Sequence, residues 1–466
     1  MHPKASKNTA KLAQRIEMRW LLPVDSYLSI HRDLSKIMDQ IYYSDKSWSR
    51  TLYFNNDSHD IPWGMNIKAR KYFSKPIKKN FYLNERELWI HETKLTPAGN
   101  TIFKTKTCET LPLKKIIRTY RHCDVLCDVS SQLCPINSPL RPFLATEYER
   151  IHFIGDTLTG GTMRLTLDRN IRYWHQLPDT IWVPLGREFG IRIEIKCNAG
   201  ALASSLCQKI EHLIVRHRGI PVISKRFAAL NRLNYWQKSL SPQPVNEFPS
   251  LELETSFSIP EERAQSFSSH LYQIFKRSTH GFVLDPQRPY LTEWSMIRLY
   301  LTQGARINLF GDTFRLVIKK HSRVKTLLDE IKCSREEKSE HTPVDHRTLR
   351  RIYQGHRLTG AVTRHKRQFW VCDNKFRLYK ISVHRSSRLS NHSALTFLDI
   401  EYEGASSFEH VTFSQKKILT QLTLLRKIIE KKFPYLSTEK RSLRKFSTFD
   451  ALQCNNPMIQ TLRWLR

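Results

Sequence analysis

Residues 190–197 read GIRIEIKC, and this short stretch shows the pattern on which the fold rests. Alternate residues of a β-strand point to opposite faces, so Arg192, Glu194 and Lys196 share one face while Ile193 and Ile195 share the other. An apolar face packs against a core, whereas a charged face needs water or counter-ions. The stretch therefore predicts a strand with one buried face and one charged face.

The same alternation recurs along the N-terminal half of the chain. The charged faces are mainly cationic with a few carboxylates, and they comprise Arg15, Glu17 and Arg19; Lys68, Arg70 and Tyr72; Glu92 and Lys94; Lys104 and Lys106; Tyr148 and Arg150; and Arg164, Thr166 and Asp168. One such face is typical of a sheet exposed to solvent. If the sheet closes into a barrel, these faces either coat its outside or line its bore. A lined bore must hold water or a polyanion, because unpaired buried charge is very costly.

The overall charge also indicates a polyanionic partner. The chain carries 76 Lys and Arg against 43 Asp and Glu, a net charge of +33. Such an excess is typical of proteins that bind nucleic acid, anionic membranes or polyphosphate. Since the sequence has neither an RNP motif nor zinc-finger spacing, nucleic acid is the second choice.

The remaining bulk features favour a soluble, cytoplasmic protein. A composition that is 40% hydrophobic and 11% aromatic can bury a sizeable core. No apolar run reaches the roughly 18 residues of a membrane helix, so we expect no integral membrane segment. The basic N-terminus has no apolar stretch, so we expect no secretory signal. Nine cysteines, an odd number, favour a reducing compartment. Nothing in the sequence indicates protein partners.

The chain divides into two similar cycles of strands and helices. Pro and Ser collect in SLSPQPVNEFPS, residues 239–250, and predict a boundary between domains at 1–240 and 250–450. Each cycle has an acidic strand, a helix, basic strands, an acidic last strand and a closing helix, which predicts two copies of one architecture. A polar segment at 326–351 interrupts the second cycle and is interpreted as a helical insertion or a mobile loop.

An ordered set of motifs connects the first cycle to a known family. The set is RIEMRW, RTLYFN, KARKY, ETK, K-x-K, YERIHF, MRLTLDRNI, IEIK and ISKRF, over roughly residues 12–235. It resembles the VTC-type polyphosphate polymerase domain of the CYTH-like triphosphate tunnel superfamily. The resemblance implies an α+β fold, in which an antiparallel β-barrel forms the tunnel and helices flank it. It also implies Mn²⁺ or Mg²⁺ as cofactor.

The resemblance assigns roles to the matching positions. It implies phosphate-binding or catalytic roles in the tunnel wall for Lys68, Arg70, Lys94, Arg150, Arg164 and Glu194, and further phosphate contacts for Arg19, Lys104 or Lys106, Tyr148, Ser224 and Lys225. Glu194 would also be the metal ligand, helped by Glu17. From the residues alone, Ser224 reads as a helix N-cap and Lys225 as a surface lysine.

The second cycle resembles a more divergent tunnel domain. Glu252 and Glu254 share a face and resemble the E-x-E-x-K signature of the superfamily, with Ser256 in place of Lys. The other candidate site residues of this half are Arg315, Lys319, Arg377, Glu401 and Glu403. A regulatory or substrate-guiding role for this half is the competing interpretation.

Metal-dependent phosphoryl transfer is the function that these residues favour. The leading hypothesis is synthesis of inorganic polyphosphate from a nucleoside triphosphate, with those two molecules as partners. A triphosphatase is the nearest enzymatic alternative, acting on tripolyphosphate, a nucleotide or an RNA 5′ end, and a nucleotidyl cyclase is another. A non-catalytic sensor that binds polyphosphate or RNA is the alternative of a different class. The sequence contains neither a Walker A nor a G-x-G-x-x-G motif.

Overall fold

The computed structural model describes most of the chain. The described residues are 13–41, 47–55, 61, 65–77, 81, 83–84, 86–95, 101–104, 109–119, 140–157, 161–198, 200–248, 252–320, 332–341, 344–389, 394–412, 414–437 and 457–465. All statements below refer to these residues.

Eight strands of the N-terminal half pair into a closed antiparallel ring. They are β1 (Ala13–Leu22), β3 (Trp48–Asn55), β4 (Met65–Phe73), β5 (Leu88–Leu95), β6 (Thr101–Lys104), β8 (Arg141–Asp156), β9 (Thr162–Gln176) and β11 (Ile191–Cys197). Their order around the ring is β1, β11, β9, β8, β3, β4, β5 and β6, which pairs again with β1. The predicted antiparallel barrel in an α+β fold is therefore confirmed.

Short strands and helices surround this ring. The short strands are β2 (Asp39–Ile41), β7 (Glu109–Pro112), β10 (Trp182–Arg187) and β12 (Ile220–Pro221). The helices are α1 (Tyr27–Ser35), α2 (Leu113–Thr119), α3 (Ser205–Arg216) and α4 (Lys225–Leu240). In the part of the chain that the structure describes, no helix is both long enough and apolar enough to span a bilayer.

The alternation of apolar and charged residues decides which face of each strand packs against the hydrophobic core outside the ring. On β11, Ile193 and Ile195 are fully buried and share a hydrophobic core with Ile210 and Ile214 of α3. The charged face of the same strand therefore points into the ring. The predicted hydrophobic and charged faces are both present.

A second closed ring of eight strands follows. Its members are β13 (Glu252–Ile259), β15 (Thr292–Leu301), β16 (Ala305–Leu309), β17 (Phe314–Lys320), β18 (Lys332–His341), β19 (Leu358–Cys372), β20 (Arg377–Arg388) and β21 (Ala394–Ala405). The order around the ring is β13, β21, β20, β19, β15, β16, β17 and β18, which pairs with β13. When the eight strands of each ring are numbered along the chain, the two rings have the same strand order.

The accessory elements of the two halves also correspond. The short strand β14 (Val283–Leu284) pairs with β19 as β2 pairs with β8. The helices of the second half are α5 (Ala264–Lys276), α6 (His346–Gln354) and α7 (Gln415–Lys432), and the ring strands before them correspond to the ring strands before α1, α2 and α3. The eight ring strands and these three helices therefore follow one order in both halves, whereas β7, β10 and α4 have no counterpart among the described elements of the second half.

The interpretation of 326–351 as a helical insertion or a mobile loop was wrong for most of the segment that the structure describes. Residues 332–341 form β18, which closes the second ring between β17 and β13. Its sequence, KCSREEKSEH, lacks the alternating apolar residues that identify a half-buried strand. The pairing of its backbone with two neighbouring strands decides its conformation. The start of α6, at His346, is the helical part.

Helix α4 lies between the two rings and bonds to strand backbone of the second. The side-chain amide of Asn231 donates to the carbonyl oxygens of Ser295 (2.8 Å) and Phe310 (3.3 Å), and its oxygen accepts from the Ser295 N–H (3.1 Å). The Arg232 guanidinium binds the Asp312 carboxylate at 2.6 Å. Because Asn231 is buried, these bonds fix the helix against the second ring.

The C-terminal segment returns to the first ring, which the sequence did not indicate. It comprises a short helix, α8 (Pro457–Gln460), followed by a 3₁₀ turn at Thr461–Leu465. The Trp20 indole N–H donates to the Thr461 hydroxyl at 2.8 Å, and the Trp464 indole N–H donates to the Gly219 carbonyl at 3.1 Å. The second predicted domain, 250–450, therefore leaves out a segment that packs on the first barrel.

The first prediction concerns the contact between the two rings. Asn231→Ala removes three hydrogen bonds and leaves backbone groups of Ser295 and Phe310 buried without a partner, so we expect a loss of roughly 2–4 kcal/mol in the free energy of unfolding. Urea unfolding measures this loss. Leu240→Ala on the same helix, at a side chain that is 66% exposed, is the control. Equal stability of both variants would contradict the role of Asn231.

Candidate active site in the first bore

The charged faces of the first ring meet in its interior, which we call the first bore. It is lined by Glu17, Arg19, Lys68, Arg70, Glu92, Tyr148, Arg150, Asp168, Glu194, Lys196 and Lys225, as their mutual contacts show. Six strands and the start of α4 contribute to it. The charged side chains named here therefore point into the ring.

Asp168 is the most deeply buried carboxylate of the first bore. The Arg150 guanidinium approaches it with two nitrogens, Nε to Oδ1 at 2.6 Å and Nη2 to Oδ2 at 2.7 Å, and Lys225 Nζ lies 2.6 Å from Oδ2. Burial alone would raise the pKa of Asp168, but Arg150 and Lys225 hold it well below its usual range. Asp168 therefore stays ionised and fixes both cations.

Glu194 lies beside this group and contacts four cations. Its Oε1 lies 3.3 Å from Arg19, and its Oε2 lies 3.6 Å from Lys196, 3.8 Å from Arg150 and 3.9 Å from Lys225. Burial would raise the pKa of Glu194, yet the surrounding cations, Lys196 and Arg19 foremost, lower it well below its ordinary value. Several weak contacts, in place of one tight pair, leave its oxygens accessible to a further cation.

Glu17 completes the acidic part of the bore. It is buried, and its carboxylate binds the same Arg19 nitrogen that contacts Glu194. The strands explain this arrangement, since Arg19 and Glu194 are direct cross-strand partners on β1 and β11. Two carboxylates from neighbouring strands thus converge on one guanidinium.

Strands β4 and β5 supply further cations. Lys68 Nζ lies 2.7 Å from Glu92, and Arg70 lies 3.9 Å from the same carboxylate while its Nε donates to the Thr51 hydroxyl at 3.3 Å. Lys68 and Glu92 are cross-strand partners and both are buried. This part of the bore is therefore held in place by its own ion pairs.

Tyr148 lies against two of the central cations. The Arg150 guanidinium carbon is 4.8 Å and Lys225 Nζ is 4.7 Å from the centre of its ring. Burial would raise the pKa of Tyr148, but Arg150, Arg70 and Lys225 outweigh it and lower the pKa to about 8. The hydroxyl is therefore a stronger hydrogen-bond donor than an ordinary phenol.

Lys225 enters the bore from the first turn of α4. The preceding residue, Ser224, is the N-cap, and its hydroxyl accepts from the Phe227 N–H at 3.4 Å. The N-cap interpretation of Ser224 agrees with this bond, but Lys225 is not a surface lysine, because it is buried and paired with Asp168. The positive end of the helix dipole points in the same direction as Lys225 and favours an anion there.

The other predicted site residues lie elsewhere or cannot be placed. Arg164 shares a face with Asp168 but is exposed, and it lies opposite Lys196 near the start of β9, at a mouth of the bore. Lys94 and Lys104 belong to β5 and β6, and their side chains are outside the described part. Lys106 lies outside the described residues altogether.

Two carboxylates of the first bore were not among the predicted site residues. The alternation placed Asp168 on the face of Arg164 and Thr166, and Glu92 on the face of Lys94, but it could not pair them with cations on other strands. Asp168 faces Arg150 across β8 and β9, and Glu92 faces Lys68 across β4 and β5. Only the strand register, which the sequence does not give, could have identified these two ion pairs.

The candidates of the second half divide into two groups. Lys380 Nζ lies 2.6 Å from Glu401 and also binds Glu403. Glu254 is the cross-strand partner of Glu401, and Glu252 lies two residues before it on the same face of β13. These residues share the interior of the second ring.

The cationic candidates of this half are more scattered. Arg315 is half-buried on β17, and the side chain of Lys319 is outside the described part. Arg377 is buried at the start of β20, where its guanidinium binds Asp373 at 2.7 Å. The structure therefore places Arg377 away from the acidic residues with which the sequence grouped it.

The sequence of the N-terminal half of the chain matches a family model. Residues 14–233, the segment that forms the first ring with α1 to α4, match the VTC domain. We call this segment the VTC domain, after the family whose model it matches. The first bore is thus the interior of the VTC domain, and the match ends in α4, before the second ring begins. A comparison with curated proteins found no match.

Several solved structures resemble half of the chain. One is a Hippeastrum protein named for adenylyl cyclase and described as having a dominant triphosphatase activity, with a TM-score of 0.29, 11% identity and coverage of 47% of this chain and 95% of the other. A Mimivirus capping-enzyme triphosphatase has a TM-score of 0.25 and 14% identity, covering 45% and 99%. A Vibrio parahaemolyticus protein named for adenylate cyclase has a TM-score of 0.22 and 13% identity, covering 44% and 87%. These TM-scores are too low for detailed comparison, so the fold assignment rests on strand pairing.

The second prediction concerns the buried ion pairs of the VTC domain. Asp168→Asn leaves Arg150 and Lys225 without their shared carboxylate, so we expect a loss of roughly 3–5 kcal/mol in the free energy of unfolding. Glu149→Gln on the adjacent strand breaks a partly exposed pair with Arg169 and should cost at most about 1 kcal/mol. Denaturant unfolding of both variants tests this, and a smaller effect for Asp168→Asn would contradict it.

The third prediction concerns the ionisation of Tyr148. Because the cations lower its pKa to about 8, one tyrosine should ionise well before the others as pH rises. Tyrosinate absorbance measured as a function of pH should show this early step, and Tyr148→Phe should remove it. Binding of tripolyphosphate should shift the step to higher pH, because an anion opposes ionisation. An unchanged early step in Tyr148→Phe would assign it to another residue.

Proposed function

We propose that the VTC domain binds a triphosphate chain in the first bore and transfers the γ-phosphoryl group of a nucleoside triphosphate to inorganic polyphosphate. The observation that carries the proposal is the convergence of Arg19, Arg150 and Lys225 on Asp168 and Glu194 in a buried cavity. Phosphoryl transfer depends on such positioning and charge neutralisation more than on covalent catalysis. The family match supports the same chemistry.

The cations of the first bore can exchange some of their carboxylate contacts for contacts with phosphate oxygens. Arg150 presents its guanidinium to Asp168 in a forked geometry that also suits phosphate oxygens. Lys225 contacts Glu194 only at 3.9 Å, and Arg70 contacts Glu92 only at 3.9 Å. These looser contacts can be replaced by phosphate oxygens, whereas the tight pairs with Asp168 hold the side chains in place.

The carboxylate pair of Glu17 and Glu194 fits a hard divalent cation, and we propose that it holds Mn²⁺ or Mg²⁺. Such ions take one or two protein carboxylates and complete their coordination with phosphate oxygens and water. Both carboxylates approach a single Arg19 nitrogen, so they already share a cation. Glu17 and Glu194 would hold the metal ion, which would supply positive charge to neutralise the charge that develops during transfer.

The proposed transfer needs no covalent intermediate on the protein. A terminal oxygen of the polyphosphate chain forms a bond to the γ-phosphorus. The bond from that phosphorus to the β–γ bridging oxygen breaks, and the nucleoside diphosphate leaves with the electron pair. Arg150, Lys225 and Lys68 hold the chain in line, and Tyr148 donates a hydrogen bond to a phosphate oxygen. A bore that excludes bulk water favours the phosphate acceptor over hydrolysis.

We also propose that residues 250–450 form a second tunnel domain. The support is that its eight strands follow the same order around the ring as those of the VTC domain, with helices at corresponding places. Its acidic residues Glu254 and Glu401 are cross-strand partners, whereas the corresponding strands of the VTC domain pair Glu17 with Lys196 and Arg19 with Glu194. This difference predicts that the second bore does not repeat the reaction of the first.

The fourth prediction tests the proposed activity. Incubated with ATP and Mn²⁺ or Mg²⁺, the protein should form long phosphate chains and ADP, and Glu194→Gln should lower this rate at least about 100-fold. Glu194→Gln keeps the shape of the side chain, so loss of a metal ligand is the physical reason. Glu149→Gln, outside the bore, is the matched control and should retain the activity.

The products decide between the alternatives. Orthophosphate as the sole phosphate product indicates a triphosphatase, and a cyclic nucleotide with pyrophosphate indicates a cyclase. Tight polyphosphate binding without turnover indicates a sensor. Each of these results would overturn polyphosphate synthesis, and full activity of Glu194→Gln would remove Glu194 from the mechanism.

A further inference from the structure

The interior of the second ring, which we call the second bore, contains a buried arginine that is paired with neutral atoms. Arg298 on β15 is 6% exposed. Its Nε donates to the Asn308 amide oxygen at 2.8 Å, and its Nη2 lies 3.9 Å from the Met296 sulfur. Within the described part of the chain, no carboxylate lies within ion-pair distance of it. Since arginine keeps its proton in proteins, this burial is costly without a counter-anion.

Further guanidinium groups surround Arg298. Arg364 on β19 and Arg306 on β16 lie on the two strands that flank β15, and both act on it by electrostatic repulsion. Burial together with this repulsion, from Arg364 and then Arg306, lowers the pKa of Arg298 well below its usual range. The three side chains therefore concentrate positive charge on one wall.

Arg364 is only weakly compensated. Its one ion pair in the described residues joins Nη2 to Asp399 at 3.9 Å, and its Nε is buried with no hydrogen-bond partner. The side chain is 12% exposed. A buried guanidinium N–H group of this kind is a donor that still lacks an acceptor.

The buried cations of the first bore can be compared with Arg298. Its buried cations Lys68, Arg150 and Lys225 each lie within 2.7 Å of a carboxylate. Among the described side chains of the second bore, Lys380 makes a pair of this kind, with Glu401 at 2.6 Å and also with Glu403. Arg298 differs from these cations, because its described partners are neutral.

The strand order places Arg298 and Arg306 opposite the two acidic strands. In a ring of eight strands, a strand four steps away lies on the opposite wall. The acidic strands β13 and β21 are neighbours, and β15 and β16, which carry Arg298 and Arg306, lie four steps from them. The strands of Glu254 and Glu401 therefore lie across the ring from those of Arg298 and Arg306.

We propose that the arginine wall of the second bore, formed by Arg298, Arg306 and Arg364, is a binding site for the oxyanions of a phosphate chain and needs no metal ion. This goes beyond the proposed reaction of the VTC domain, since it assigns a ligand to the other barrel. Guanidinium groups bind phosphate oxygens in forked pairs, and the Asn308 amide adds a neutral partner. The ligand supplies the negative charge that Arg298 otherwise lacks.

The chemistry of a phosphate chain fits two sources, a nucleoside triphosphate and inorganic polyphosphate. Both present several adjacent oxyanions, which can reach guanidinium groups on three strands at once. Because the acidic wall repels an anion, the chain would lie along the arginines and leave Lys380 with its carboxylates. The experiment therefore uses one probe of each kind.

The fifth prediction tests this site by calorimetry on the full-length protein, with EDTA present so that no turnover occurs. Titration with tripolyphosphate and, separately, with ATP should show two binding equivalents for at least one probe. Arg298→Met should lose one of them, or weaken it about tenfold or more, because a charge-assisted contact is removed. Arg357→Met, which removes the same charge from an exposed position in the same half, should keep both.

The same variants distinguish a site from a folding defect. Without ligand, Arg298→Met should raise the thermal midpoint, because it removes a buried and repelled charge. With ligand, its midpoint should rise less than that of wild type. Arg364→Gln should behave in the same direction and serves if Arg298→Met does not fold.

The outcomes decide the proposal independently of the enzyme assay. Loss of an equivalent for tripolyphosphate supports inorganic polyphosphate as the ligand, and loss for ATP alone supports a nucleotide. Retention of both equivalents for both probes in Arg298→Met and Arg364→Gln would overturn the site. Since no metal ion and no turnover are involved, failure of polyphosphate synthesis in the VTC domain would leave this result unchanged.

Discussion

Charge buried inside a closed sheet must be compensated, and the ion pair of Asp168 with Arg150 and Lys225 meets this requirement in the first bore. One carboxylate, completely buried, fixes cations that arrive from a neighbouring strand and from the start of α4. Without it, the same cations would repel each other in a medium of low polarity. The position of Lys225, and with it the docking of α4, depends on this pair.

The charges of the first bore are only partly paired with each other, and this allows the bore to bind a ligand. Asp168 is fully paired, whereas Glu194 makes four longer contacts and shares Arg19 with Glu17. The tight pairs keep the side chains in position, and the loose contacts can be exchanged for phosphate oxygens and a divalent ion. In the second bore, the described partners of Arg298 are neutral, so the two bores differ in how these buried cations are compensated.

Helix α4 links the two barrels through adjacent residues. Lys225 points into the first bore, and its neighbour Arg226 binds Glu293 of the second ring at 3.2 Å. Glu293 also lies 3.9 Å from Arg367. Burial would raise the pKa of Glu293, but Arg226 and Arg367 outweigh this effect and lower the pKa to about 2. One helix start therefore takes part in the charge compensation of both halves, which are held as neighbours through buried polar contacts.

The sequence by itself determined the alternation of faces and the cationic character of the bore. The reason is that strand and helix periods are local properties, visible in segments such as GIRIEIKC. Only the tertiary structure decided which charges meet. Strand register pairs Arg150 with Asp168 and Lys68 with Glu92, ring closure makes a strand of the polar segment at 332–341, and docking of α4 buries Lys225. These contacts join residues far apart in the chain, and no local pattern specifies them.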